Sequence, residues 1–203
     1  MTTANADIID LLAGIAPGSR LDALRDQRPQ ARENAQRSFE ALLEPAEPGT
    51  FPLGERYAVA AFVARLHGFA QAADFYADLL GDEDSALVAA VEAAAADGAS
   101  SGPYGVYREE GLAAESSPGA AWAAAEPGLG ARLVAALTHA HLLVFRPRES
   151  SATAIQALVD AGWSADDIVR LSQLVAFLTF QLRLAWGLRV LADNPAETEG
   201  ATR

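Results

Sequence analysis

The chain's 203 residues suffice for one domain with a sizeable core, and a composition that is 51% hydrophobic but only 7% aromatic, driven by alanine, favours packed helices over sheet. A net charge of −12 argues against nucleic-acid phosphates or an anionic membrane surface as partners. There is no cysteine and all 15 basic residues are arginine, which removes disulfides, iron–sulfur clusters, thiolate zinc sites, cysteine nucleophiles and lysine Schiff bases together.

In chain order, Ile8, Ile9, Leu11, Leu12 and Ile15 stand at helical spacing, so Asp7–Ile15 reads as a short helix closed by Ala16-Pro17-Gly18. Ser19 with Asp22 three residues on makes a capping box for a second helix to about Gln27. Pro29 suits the first turn of a third helix, ending at Leu43. Glu44 to Phe51, with Pro45, Pro48 and Gly49, is a loop. Phe51 to Leu80 then reads as an apolar helix, a break at Gly68 and a second helix beginning at once. Gly81-Asp82-Glu83-Asp84 reads as a turn and acidic helix start, leading into an alanine-rich helix Ser85–Asp97. Gly98 to Gly119 is irregular. Its Tyr104, Tyr107 and Arg108 suit a segment that covers a pocket or clasps a neighbour, although a plain spacer has the same composition.

Gly128–Phe145 and Ala152–Ala161 are further helices, the latter closed by Gly162. Ser164 and Asp167 cap the longest helix, Ala165 to about Asp193. On it Ile168, Leu171, Val175, Leu178 and Leu182 form one stripe, and Leu174, Phe177, Leu184, Leu188 and Leu191 a second. An apolar arc that wide predicts a central helix or one buried between subunits. Residues 194–203 read as a disordered tail. The expected organisation is N-terminal helices over 1–50 packed on a helical core over 51–193, an all-α bundle of about seven to nine helices with no sheet. Met1–Ala13 lacks the basic start of a signal peptide, and Arg132, His139 and His141 interrupt the apolar run Leu129–Phe145, so a soluble cytoplasmic protein is expected.

FPLGERYAVAAFVARLHG followed by FAQAADFYADLL resembles the core of the alkylhydroperoxidase D and carboxymuconolactone decarboxylase group. There an alanine-rich helix ends in a short Asn-Gly or similar step, and Cys-x-x-Cys-x-x-x-His opens the next helix. Laid on this chain, the two cysteines fall on Phe69 and Ala72 and the histidine on Tyr76. The group's relay glutamate falls on Tyr57; Glu55 lies close but points to a different side of the helix, so the glutamate is not carried over. GWSADDIVRLSQLVAFLTFQLRLAWGLRVL resembles the closing helix of the group's peroxidase-related branch, and Ala6–Glu47 is similar to the N-terminal helices of its cysteine-free members. The resemblance implies an all-helical scaffold assembled as a dimer, trimer or hexamer, with a cysteine-containing relative as another conceivable partner. A reactive cysteine works as a thiolate at a helix N-terminus, so phenylalanine and alanine at those positions imply that thiol peroxidase chemistry is lost.

The remaining candidates for a pocket are Glu55, Tyr57, His67 and Arg183. His67 either lines whatever cavity remains at the old site or closes its helix by bonding the last carbonyls. Arg183, amid apolar neighbours, either grips an anion or pairs with an acid across an interface, and Phe180 and Trp186 beside it read as core or interface. His139 and His141 point some 200° apart on a helix and share no ion, one facing the core and the other solvent. Asp82, Glu83 and Asp84 lack the spacing of a calcium loop, so no metal and no cofactor is expected. Two functions follow: a non-peroxidatic binding or assembly subunit, or a cofactor-free acid–base enzyme of the decarboxylase type acting on a small anion. The second needs His67, Glu55, Tyr76 or Arg183 to converge on one pocket.

Overall fold

The computed structural model describes residues 7–125 and 127–194. Among these are eight α-helices and two short 3-10 segments; the sole β-type pairing is a bridge between Gly105 and Ser117. The all-α expectation therefore holds. Residues 195–203 of the expected tail lie outside the described residues.

Three short helices open the chain: α1 (Ile8–Ala13), α2 (Arg20–Asp26) and α3 (Pro29–Leu43). Ser19 caps α2 as the sequence specifies, accepting from the Asp22 N–H at 3.3 Å, and Asp7, read as a helix residue, instead caps α1 by accepting from the Asp10 N–H at 3.0 Å. Arg25 and Arg32 tie the three together through Asp7, Asp10, Asp22 and Asp26. Phe39 and Leu43 of α3, four residues apart, fall on one face and are buried with Ile8, Ile9 and Leu12 of α1. Helices α1 and α3 thereby rest on the C-terminal helix.

The core is the antiparallel pair α4 (Leu53–Leu66) and α5 (Ala70–Asp97), the most extensive helix contact in the chain. Helix α4 is apolar all round and buried from Arg56 to Ala64, as suits a central helix. Ala58, Ala61, Ala64, Ala72 and Ala73 let the backbones approach closely. The turn between them needs Gly68: its φ of +70° closes α4 with a Gly68 N–H to Arg65 carbonyl bond of 2.9 Å. The buried Arg56 donates to the carbonyls of Leu42 at 2.6 Å and Phe51 at 2.7 Å, which fixes the end of α3 against the start of α4. Sequence reasoning missed this role.

The expected turn at residues 81–84 is displaced. Helix runs through Gly81, Asp82 and Glu83, and only Asp84 leaves helical geometry, at φ −154° and ψ 87°. Its carboxylate accepts the Ala86 N–H at 3.1 Å, so Asp84 acts as a cap inside the long helix and restarts it. Glycine in an alanine-rich run lowers helix stability without ending the helix.

Beyond α5 the long irregular segment is fastened to its own chain. Trp122 donates to Asp97 at 2.7 Å, and its ring stacks on Phe62 at 5.5 Å. Tyr107 lies under the Arg148 guanidinium at 3.9 Å. Then follow α6 (Gly130–Phe145), α7 (Ala152–Asp160) and α8 (Ala165–Asp193). Helix α8 packs on α1, α3, α4 and α6, burying Ile168, Leu171, Leu174, Val175, Leu178 and Leu182. By length and hydropathy α8 would span a bilayer; its body-facing apolar residues are instead taken up by these contacts. Leu191, assigned to the second stripe, is exposed.

Candidate functional site

The end of α4, the start of α5 and one face of α8 enclose a cavity of about 310 Å³ lined by His67, Gly68, Phe69, Leu182, Arg183 and Trp186. Two of the four pocket candidates, His67 and Arg183, thus meet in one place. The helix α4 ends at His67 because Gly68 follows it, and α5 begins at Phe69 without any side-chain cap. The N-terminal end of α5 accordingly borders the cavity through Phe69. Trp186 meets Phe69 edge-on with centroids 5.6 Å apart, so aromatic rings make the wall and floor.

Charge in the cavity comes from Arg183. Its guanidinium makes no hydrogen bond or ion pair among the described residues. His67 lines the pocket; as the C-cap of α4 it bonds the last carbonyls through its backbone N–H, while its ring pairs with Thr179, Nε2 and Oγ1 lying 3.4 Å apart. Burial and then the neighbouring Arg183 push its pKa below the ordinary value near 6.5, so the ring is neutral at pH 7. The lining offers one cation, a neutral imidazole and two aromatic surfaces. Such a set is chemically suited to a small anion with an apolar body.

Under this floor lie the positions of the expected cysteine and histidine groups. Phe69, Ala72 and Tyr76 are all buried. The Tyr76 hydroxyl bonds the Oε1 of Gln181, while the Gln181 Nε2 has no partner among the described residues. Burial, more than the opposing bond from Gln181, drives the phenol pKa far above its usual value near 10, and Tyr76 carries no proton traffic. Sequence reading missed Gln181. Its only signal is that an amide interrupts the buried run between Leu178 and Leu182.

Glu55 and Tyr57 lie elsewhere. Glu55 takes the Arg132 Nε–H at 2.9 and 3.1 Å, and Arg132 also donates to the carbonyls of Gly162 and Thr50, each at 2.8 Å. The same guanidinium lies 4.0 Å over the Trp163 ring, and Asp167 beside it accepts from Thr50 and Ser164. Tyr57 is buried, its pKa raised by burial and then by the charges of Glu44 and Glu83.

The expectation that one of His139 and His141 faces solvent is corrected. Both are buried, pointing to different neighbours as their spacing requires: His139 to Ser172 at 3.4 Å, His141 to the Gly98 carbonyl at 3.0 Å. Alanine-rich α5 leaves room for the second ring beneath Trp122, 4.8 Å away. Among the described residues no cluster of three metal-ligating side chains forms. Phe180 and Trp186, read as core or interface, are exposed and therefore not core.

The structure defines the class as an all-α bundle with an aromatic, singly cationic pocket where two helices meet a third. No family model, curated protein or solved structure matches the chain.

Proposed function

We propose that this chain is a non-peroxidatic binding protein for a small organic anion, held in the cavity between His67, Phe69, Arg183 and Trp186, on a scaffold of the alkylhydroperoxidase D type. The observation that carries this reading is the meeting of His67 with a guanidinium that has no partner among the described residues, at the helix junction where the resemblance puts a redox centre. A planar carboxylate accepts two N–H groups of Arg183, while an aromatic or branched body lies against Trp186 and Phe69.

An acid–base enzyme of the decarboxylase type has less support. Glu55 is committed to Arg132, Tyr76 is sealed in the core, and of the expected acid–base groups His67 alone reaches the cavity.

Isothermal titration of the full chain with benzoate, and separately with inorganic phosphate, tests the proposal. Saturable benzoate binding that weakens at least about tenfold in Arg183→Gln is expected, since losing a charged hydrogen bond costs roughly 1.5–3 kcal/mol. Heat signals equal in the two proteins, or none in either, would refute it.

A further inference from the structure

Along α8 the exposed positions Val169, Gln173, Ala176, Phe180, Arg183, Gly187 and Val190 recur at intervals of four, three, four, three, four and three. That alternation is the spacing of a coiled-coil seam, and it is separate from the body-facing stripes already buried within the chain. The seam spans about 32 Å at 1.5 Å per residue. Phe180 is 51% exposed, Val169 55% and, on its flank, Trp186 54%, and half of the large exposed apolar side chains among the described residues stand on this one helix.

We infer that the face is the contact between two copies of this chain, paired antiparallel through α8 about a two-fold axis between Phe180 and Arg183. The register follows from the side chains. Antiparallel seams interleave the two alternating sets of positions, and one offset sets Ala176 against Gly187, Gln173 against Val190, and Phe180 against Arg183, each twice. Small meets small at the Ala176–Gly187 pairs flanking the centre, letting the backbones approach there. At the centre each guanidinium lies over a phenyl ring, the cation–π geometry that Arg132 already makes with Trp163 inside the chain. A parallel pair would instead oppose Arg183 to Arg183 and align the helix dipoles. A lipid surface suits the face poorly, because Arg183 interrupts its centre and the chain carries a net charge of −12.

The pairing bears on the pocket, a consequence that rests on the anion-binding reading. Arg183 and Trp186 line the cavity and border the seam together. A ring from the second copy would cover one face of the Arg183 guanidinium, leaving its N–H edge directed at the ligand. Neither copy then has a complete site alone.

Sedimentation equilibrium on the full chain and two substitutions at one exposed position tests this. The wild type should be a dimer at micromolar concentration. Phe180→Arg puts a second cation opposite Arg183 and should give monomer, whereas Phe180→Glu puts a carboxylate there and should keep the dimer. A monomeric wild type overturns the pairing, as does an identical response to the two substitutions. Because the chain has no cysteine, the double variant Ala176→Cys, Gly187→Cys gives a second readout: oxidation should link two chains, and Ala176→Cys alone should link far less. Equal linking by both overturns the register. Benzoate binding that survives in a monomeric wild type would sink the pairing and leave the pocket standing; a dimer with no benzoate binding would do the reverse.

Discussion

Arg132 and Arg183 are both arginines on long helices, and their surroundings differ in every respect that matters. Arg132 is fully engaged: Glu55, two backbone carbonyls and the Trp163 ring hold it, and Trp163 in turn donates to the Arg132 carbonyl at 3.0 Å. That cluster joins the start of α4, α6 and the α7–α8 junction, and its donors and acceptors are used up on the chain itself. Arg183 spends none of its donors on the described residues and stands at the mouth of an apolar cavity. Internal satisfaction marks a group that holds the fold; a cation kept without a partner beside a hollow marks one available to something else.

The largest effect expected from this contrast is at the closed cluster. Arg132→Ala strands Glu55 and deprives Asp167 of a nearby charge, and should cost about 3 kcal/mol in urea denaturation. A loss below ~1 kcal/mol would mean the cluster is not the fastening described. Tyr76→Phe should cost about 2 kcal/mol, since it removes the partner of a buried amide, and adding Gln181→Leu should recover most of the loss. Equal destabilisation in the single and double variants would contradict that account.

Acid should weaken the fold as the pH falls from 7. Burial is the leading cause lowering the pKa of His67, His139 and His141. The unfolded chain therefore takes up more protons as the pH drops past about 6.5, and stability is lost from there down to the native values. For Asp167, burial opposes ionisation, but bonds from Thr50, Ser164 and Arg170 outweigh it and hold the pKa below the ordinary carboxylate value. Its stabilisation persists until the pH falls below about 4. Thermal melts across pH 7 to 5 should show the decline, and replacing His139 with Gln should shrink it; a flat profile would count against the histidine assignment. The smallest stability effect belongs to the open site. Arg183→Gln should change unfolding free energy by less than about 0.5 kcal/mol while abolishing tight anion binding.

Much of the helical order was legible because its signals are local. Ser19, Pro29, Gly162 and Ser164 are caps or first-turn residues whose meaning depends on three or four neighbours, and the helices begin or end where they indicate. The sequence puts a turn across residues 81–84, whereas only Asp84 leaves helical geometry, because its carboxylate caps the helix from within. In the pocket, His67 stood out through its place at the helix step beside the positions where the resemblance puts the redox centre, and Arg183 as a charge in an apolar stretch. Their meeting was not legible, since they lie on helices far apart in the chain. Neither was the pairing of Glu55 with Arg132, 77 residues apart, nor that of Tyr76 with Gln181, 105 apart.

By itself, then, the amino-acid order determined the all-α class, most helix ends and the absence of thiol chemistry, because propensity, capping and elemental composition act within a few residues or not at all on geometry. Tertiary structure decided which polar side chains are spent on one another and which stay open. That allocation depends on the packing of α4, α5, α6 and α8, where contact partners are chosen by shape across long separations in the chain.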